Sequence, residues 1–546
     1  MKLFLLLLAL VFTLPSHAEK PTPEQYWSRT GLTTKAVTQE LQILESKSCL
    51  AGERTYLGCL AAINAVAGMA EPALIFVPKK LVKQASAGVG EEVFSFGEFS
   101  LAKKLPDEAS DQDTLRSNFL RQDSKRKILR KENLASIQAA PRFSEVFTKV
   151  VELSKIDAQK DALAAAAAVS AFFSEAVDSH ARIESYEQLQ DSLNDADKSF
   201  TGIGANLQEF SGKIIIQSPI EGSPAMRAGL KSNDILLAVN HVPVGKKKIT
   251  DVVKEIRGPE GSQVVIRVAR KGTEMDFQIV RQKISLPNVE AKVVQDFGIS
   301  VGVIRLRSFM DNEACMQVAE KIEWLKTQKV SALVMDLRGN GGGLVNEAVC
   351  MGGLFVGEKV IVQVKNLESN EMRGHRSWAT QLTQLPMVTL IDSGSASASE
   401  ILSGALQDYQ RSWIVGERSF GKGTVQAPRA FYNDKIVLFR TIQRFYQPSG
   451  RTNQMVGITP DFEVFEKLGA SDEDRFRLRE ADIYPFGLEA VGPVWKQPRV
   501  KEVTKIQSCL SSKGLAAKKA QQLEQEEKLV DLQLLTAQEV FLCSKP

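Results

Sequence analysis

The sequence predicts a multidomain α+β protein: helical regions at both ends, a strand-rich segment and an α/β core between them. Three observations predict it. Residues 141–173 and 516–534 carry apolar side chains at helical spacing, and 199–285 break into short strands. From 286 to 466 strands and helices alternate, as they do when helices cover a sheet. At 546 residues the chain exceeds what one core holds and divides into about three or four domains. Its net charge of +4 is close to balanced, which argues against a nucleic-acid partner.

The first eighteen residues read as a signal peptide. A basic Met1-Lys2 precedes an apolar run over 3–14 and then Ser16-His17-Ala18. No later run reaches the ~18 apolar residues of a membrane span, and no cysteine follows the cut to take a lipid. The expected product is a soluble, exported protein beginning near Glu19. Six cysteines, Cys49, Cys59, Cys315, Cys350, Cys509 and Cys543, all lie beyond the leader. An even number in an exported chain favours disulfides, and the absence of CxxC spacing argues against zinc. Pairing nearest neighbours puts one bridge in each of three regions, although six cysteines allow 15 connectivities.

Residues 19–140 read as a helical N-terminal domain. Leu57, Leu60, Ile63 and Val66 share one helix face; Pro72 and Pro78 interrupt the stretch beyond it, and 103–132 is a charged linker or exposed helix. Nothing here forms a chemical constellation, so the bland reading is an accessory or oligomerisation domain. Residues 141–198 continue as a helical segment, with Ala164–Ala168 strongly helix-favouring.

Residues 199–285 change character, with strands expected at 213–217, 235–239, 264–268 and 275–280 and helical pieces at 225–228 and 249–256. Gly202, Ile203 and Gly204 suit a nest of amides for a carboxylate, and an extended peptide would add beside Leu207. With Gly222-Ser-Pro224-Ala225 and the run 228–236, this segment resembles a PDZ domain. The bland alternative is a β-domain without a peptide role.

In 286–466 a buried-type strand at 332–337 leads to Arg338-Gly339-Asn340-Gly341-Gly342-Gly343, a loop whose backbone can approach a ligand closely. It is no phosphate loop, because no Gly-Lys-Ser/Thr comes after it. A second strand at 387–391 ends in Asp392-Ser-Gly394 and then Ser395-Ala-Ser397-Ala-Ser399-Glu400, where a helix begins with apolar positions 398, 401, 402, 405 and 406. A third strand at 413–415 precedes Phe420-Gly-Lys422-Gly-Thr-Val-Gln426, and 435–443 is also strand-like. Residues 467–546 are charged and helical, with Ala516, Ala520, Leu523, Val530 and Leu534 on one stripe that reads as packing.

A serine at a helix mouth has backbone amides and the helix dipole beside it, a place for developing negative charge. It is a weak nucleophile unless a base takes its proton. Past the leader the chain offers only His180, His241 and His375; His241 falls in the strand-rich segment and His375 has no aspartate patterned nearby, which argues against a Ser-His-Asp triad. Lysine serves if burial lowers its pKa from ~10.4; a shift of ~3 units corresponds to about 4 kcal/mol of differential solvation. Each residue also has a plain reading. Ser397-x-x-Glu400 fits a capping box, Lys422 a solvated lysine, and Asp408 a helical pair with Arg411.

Several motifs in one order resemble the C-terminal processing (tail-specific) peptidase family. They are Asp336-Leu-Arg338 with its glycine loop, Ser395 to Ile401, Gln407-Asp408-Tyr409, Val415-Gly416-Glu417, Phe420 to Gln426, Tyr446-Gln-Pro448-Ser-Gly450-Arg451 and Gly457-Ile-Thr-Pro460-Asp461. The likeness covers roughly 140–466, with Asp178-Ser-His180 lacking the family's usual proline. It implies a crotonase-like α/β protease core with an embedded PDZ domain. It implies Ser397 as nucleophile, Lys422 twenty-five residues on as general base, and Gln426 as the group that orients the lysine. Ala398 with Gly341 or Gly342 would hold the oxyanion, and Asp408 would give structural support. No metal or cofactor is implied. The expected activity is a periplasmic serine endopeptidase cleaving proteins with exposed, apolar C-termini, which the PDZ domain recognises. Candidate partners are a lipoprotein adaptor and a second copy of the chain. The rival reading is a catalytically silent PDZ/crotonase-like scaffold that binds peptides.

Overall fold

The computed structural model describes residues 21–105, 115–137, 141–194, 199–210, 213–220, 222–231, 234–245, 247, 249–270, 272–285, 287–465, 479–483, 488–493, 495–526 and 530–544. The leader expected at 1–18 lies outside them. Two compact units result, one of Met1–Gln190 with Pro428–Arg440, the other of Asp191–Ala427 with Thr441–Pro546.

In the first unit the helix Glu53–Ala67 packs along Asp161–Ala176. Small residues make the approach possible. Ala164, Ala165 and Ala168 are buried, and a Cβ on Gly58 would lie 3.0 Å from both Ala176 Cβ and the Phe172 carbonyl. The mostly helical expectation for 19–140 needs correction. Strands Leu74–Pro78, Val89–Phe96 and Phe99–Lys104 form an antiparallel sheet with Phe99–Lys104 in the middle. The prolines at 72 and 78 bracket a strand, and Phe76 stacks on Phe99 with ring centroids 5.2 Å apart. The expected division at 140 is not observed either, because one buried cluster runs from Trp27 through Val169 to Ile183 and Ile436. Ile436 belongs to a segment that the sequence pattern assigns to the α/β core. Here residues 436–439 pair antiparallel with Arg182–Ser185.

The second unit begins with the PDZ-like segment. Its sheet runs in the order Thr273–Val280, Gln263–Arg270, Ile235–Val239, Lys213–Pro219, Ala205–Phe210, so that Ala205–Phe210 lies at the end of the path. Val239, Val264, Ile266 and Val268 fill its core with Val252 and Ile256 of the helix Ile249–Ile256. Ser199–Gly202 and Gln282–Ser285, which lead into and out of this segment, pair with each other.

The α/β core is a six-stranded sheet: Val289–Asp296, Ile299–Leu306, Ala332–Asp336, Met387–Ile391, Trp413–Gly416, Phe462–Glu463. The first pair is antiparallel and the rest parallel. Both faces are covered, which explains why 332–336 and 387–391 are buried at every position rather than alternating. Leu333 and Met335 face the helices Ala314–Thr327, Val345–Val356 and Ala398–Asp408, whereas Ala332 and Val334 face Val503, Ile506, Ala537 and Val540. The C-terminal helices Val500–Lys513 and Leu532–Cys543 thus close the second side of the sheet. Among the described residues no helix is long and apolar enough to cross a membrane.

Three disulfides join Cys49 to Cys59, Cys315 to Cys350 and Cys509 to Cys543. This is the nearest-neighbour pairing. Cys509–Cys543 closes a span of 34 residues across the helices that cover the sheet, and the chain-entropy model gives a loop of that size roughly 4 kcal/mol. Replacing both cysteines by serine should lower the denaturant midpoint of the second unit by the corresponding amount. An unchanged midpoint would contradict the assignment.

Candidate active site

Three adjacent parallel strands, 332–336, 387–391 and 413–416, each end in a loop carrying site residues. In register, Asp336 lies beside Leu390 and Ile391 beside Gly416. The crevice beyond the carboxyl ends of parallel strands is where such sheets bind ligands. The glycine loop 338–343, the serine turn 392–397 and the lysine loop 417–423 emerge there together.

The structure separates the three serines of the turn. Ser395 Oγ donates to the Leu337 carbonyl at 2.9 Å and Ser399 Oγ to the Asn340 carbonyl at 2.7 Å; both residues are fully buried and stitch the turn to the glycine loop. Ser397 differs. Its backbone has φ 55° and ψ −112°, a strained conformation for a residue with a side chain, of a kind that costs on the order of 1–3 kcal/mol and is found at functional sites. It stands at the N-cap of Ala398–Asp408.

The glutamate arm of the predicted capping box is present and extends further than a cap. Glu400 is fully buried. Its Oε2 accepts from the N–H of Ser397 and the N–H of Lys422, each at 2.9 Å. Its Oε1 accepts from Ser419 Oγ at 2.5 Å and from Gly421 N–H at 2.8 Å. One carboxylate therefore fixes the backbones of the candidate nucleophile and the candidate base. Burial pushes its pKa up to about 7, against the pull of the hydroxyl and the three amides. The sequence pattern marks Glu400 as a cap only; that Lys422 returns to it requires the tertiary fold.

Lys422 Nζ donates to Gln426 Oε1 at 2.5 Å. Gln426 Nε2 in turn donates to Thr424 Oγ1 at 2.9 Å and Thr441 Oγ1 at 3.1 Å, which turns the amide oxygen toward the lysine. The loop is held from its other side by Gln454, whose Oε1 accepts from Gly423 N–H at 2.7 Å and whose Nε2 donates to the buried Glu480 at 3.2 Å. Glu480 lies in a stretch where the sequence offers no chemical signal.

Asp408 does not pair with Arg411, which instead donates to the carbonyls of Phe355 and Thr383 at 3.0 and 3.1 Å. Asp408 forms a buried ion pair with Arg451, 2.9 Å from Nε, and accepts from Ser449 N–H at 2.8 Å. Asn453, two residues after Arg451, donates to the Lys422 carbonyl at 2.9 Å. Asp408 thus supports the segment that supports the lysine.

In the glycine loop, Gly342 has φ +100°, and a Cβ there would come within 2.8 Å of Ser397 Cβ and 2.9 Å of the Ala398 nitrogen. Only glycine permits this approach. The Gly342 N–H itself is held by Asn340 Oδ1 at 3.0 Å. Of the two glycines expected as oxyanion donors, Gly342 is therefore engaged elsewhere and Gly341 remains. In the PDZ-like segment the carbonyls of Ile203 and Gly204 accept from the N–H groups of Ala225 and Ile220 at 2.8 and 2.9 Å. Gly202 pairs with Gln282, and Leu207 lies half-buried on the edge strand opposite Ile216. Among the described residues no cluster of three or more His, Cys, Asp or Glu could hold a metal ion.

A serine turn and a lysine loop thus meet beside a glycine loop at one end of the sheet. Residues 300–464 match Peptidase family S41 and 215–270 match the PDZ domain. A relative from Staphylococcus aureus (strain MSSA476), described as "Probable CtpA-like serine protease", is 30% identical over 369 residues, covering 66% of this chain and 72% of the relative. A relative of the same description from Staphylococcus epidermidis (strain ATCC 12228 / FDA PCI 1200) is 32% identical over 304 residues, covering 54% and 61%. Among solved structures, the photosystem II D1 C-terminal processing protease matches with 26% identity and a TM-score of 0.36, covering 58% of this chain and 86% of that one. The chain belongs to the CtpA-like serine proteases of peptidase family S41.

The raised pKa of Glu400 fixes a sign. A carboxyl group whose folded pKa lies above its unfolded value contributes stability that is present below about 4.5 and lost as pH rises through about 7. The stability gap between wild type and Glu400→Gln should therefore narrow by up to roughly 3 kcal/mol between pH 4.5 and 7.5. Denaturant unfolding across that range measures it; a gap that widens with pH would show that the four donors outweigh burial.

Proposed function

We propose that this chain is an exported serine endopeptidase that cleaves proteins in a C-terminus-dependent manner with a Ser397–Lys422 dyad. The observation that carries the reading is the shared Glu400 oxygen, which accepts from the backbone N–H groups of both Ser397 and Lys422 at 2.9 Å. The neutral Lys422 amine takes the proton of Ser397 Oγ, which attacks the peptide carbonyl carbon. The resulting oxyanion lies toward the N–H groups of Ala398 and Gly341. As the C–N bond breaks, the Lys422 ammonium returns its proton to the leaving amine, and an acyl-enzyme remains. Lys422 then takes a proton from water, the hydroxide attacks the ester, and the proton returns to Ser397 Oγ as the C–Oγ bond breaks. Gln426 holds the amine in place throughout.

The PDZ domain is read as the receptor for substrate tails. Gly202, Ile203 and Gly204 would receive the terminal carboxylate, and the peptide would add as a strand beside Leu207 on the edge strand. Three disulfides and the leader-like start support export, and a periplasm is the compartment that fits both.

The test uses an unstructured protein with an apolar C-terminus. Ser397→Ala and Lys422→Ala should each lower kcat by at least about a thousandfold. Equal cleavage by wild type and both variants would refute the dyad, and no cleavage by any of them would favour the silent scaffold. Gly204→Ala addresses the PDZ assignment. At φ +74° its new Cβ would lie 2.4 Å from Ser223 Cβ, so cleavage of the tailed protein should fall several-fold. Unchanged cleavage would separate tail recognition from this loop.

A further inference from the structure

Arg338 opens the glycine loop, and its guanidinium lies between two carboxylates. Asp336 accepts from Nε at 2.8 Å and from one terminal nitrogen at 2.7 Å. Asp531 accepts at 2.8 Å from the other terminal nitrogen and at 2.9 Å from the shared one, and Gln533 Oε1 adds a contact at 3.1 Å. Asp336 belongs to the strand that carries the loop; Asp531 and Gln533 come from a helix 193 and 195 residues further along the chain. Burial alone would lower the basicity of Arg338, and the hydrogen bonds and charges of Asp336 and Asp531 more than reverse it.

Resting on the dyad reading above, we propose that Asp531 is a positioning residue for the oxyanion donor, holding the start of the glycine loop so that the Gly341 N–H keeps its place. Downstream of Arg338 the loop is pinned at Gly339 by Asp392 Oδ1 (2.9 Å), at Asn340 by the Leu306 carbonyl (3.0 Å) and at Gly342 by Asn340 Oδ1 (3.0 Å). Among the described residues no protein acceptor pairs with the Gly341 N–H. Its position is therefore set by its neighbours: Asn340 and Gly342 are tied to the adjoining strand segment at Leu306 and Phe309, and Arg338 is tied to the C-terminal helix through Asp531. Two parallel charge-assisted bonds fix direction as well as distance, and donor placement within about half an ångström is what such a site requires.

Asp531 has a second task that makes the test clean. It is the N-cap of Leu532–Cys543, accepting from Leu534 N–H at 3.0 Å. Serine and asparagine cap about as well as aspartate. Asp531→Ser keeps the cap and cannot reach Arg338; Asp531→Asn keeps the cap and turns an amide N–H toward a guanidinium that only donates. The helix itself stays held by the burial of Leu534, Leu535, Ala537, Val540 and Phe541 and by the Cys509–Cys543 bridge.

Steady-state cleavage of the tailed protein is measured for wild type, Asp531→Ser, Asp531→Asn, Asp531→Glu and Ser397→Ala, with melting curves and amide exchange over 339–343. In Asp531→Ser and Asp531→Asn kcat should fall about tenfold or more, with KM within about twofold, melting retained and exchange in the loop faster. Asp531→Glu should recover part of the loss. An unchanged kcat in a folded Asp531→Ser protein, a change confined to KM, or loss of the fold in both capped variants would overturn the assignment. Cleavage that survives Ser397→Ala would instead overturn the dyad and leave the brace to be judged by amide exchange alone.

Discussion

Four hydrogen bonds converge on the Glu400 carboxylate, and a carboxylate has about four lone-pair positions to offer. Three donors are backbone N–H groups, of Ser397, Gly421 and Lys422, and the fourth is the Ser419 hydroxyl, all on segments that the proposed chemistry needs in place. A proton on Glu400 occupies one of those positions and releases one donor. The same burial that raises its pKa to about 7 thus makes alignment of the site sensitive to pH near neutrality. Stability and alignment run in opposite directions here, since the protonated group is the more comfortable one in the core and the ionised one satisfies the loops.

Around that carboxylate the fold is arranged in strand order. Three neighbouring parallel strands deliver the glycine loop, the serine turn and the lysine loop to one end of the sheet. The ladder register sets the relative height of the strands, and both faces of the sheet are buried, one by the helices between them and the other by the C-terminal helices. Residues remote in sequence then act on the loops from behind. Asp408 holds Arg451, Glu480 holds Gln454, and Asp531 holds Arg338, each a buried or half-buried carboxylate one step removed from the proposed catalytic groups or their loops.

How much of this was legible in the sequence depends on how local each signal is. The Ser397 turn, the glycine loop and the Lys422–Gln426 spacing are short motifs with fixed offsets, readable residue by residue. The strands at 332–336 and 387–391 are readable because a parallel strand buried on both faces is a continuous apolar run. The sheet at 74–104 is not, since Val89–Phe96 is largely exposed and carries Gly90 and two glutamates, a weak strand pattern. The pairing of 436–439 with Arg182–Ser185 spans about 250 residues, and no local periodicity reports it. Glu400 shows the limit most clearly. Its i,i+3 relation to Ser397 is a local capping pattern, whereas its bond to Lys422 depends on a loop returning from the next strand.

The coupling of Ser397 to Lys422 through Glu400 is the claim on which the rest depends. The most direct measurement is the single-turnover rate of acyl-enzyme formation by a chromogenic ester in wild type and Glu400→Gln, with folding checked by near-UV circular dichroism. A glutamine can accept from only some of the four donors and places an N–H against the others, so acylation should slow by about a hundredfold or more while ester binding changes little. A folded Glu400→Gln protein that acylates at the wild-type rate would contradict the account.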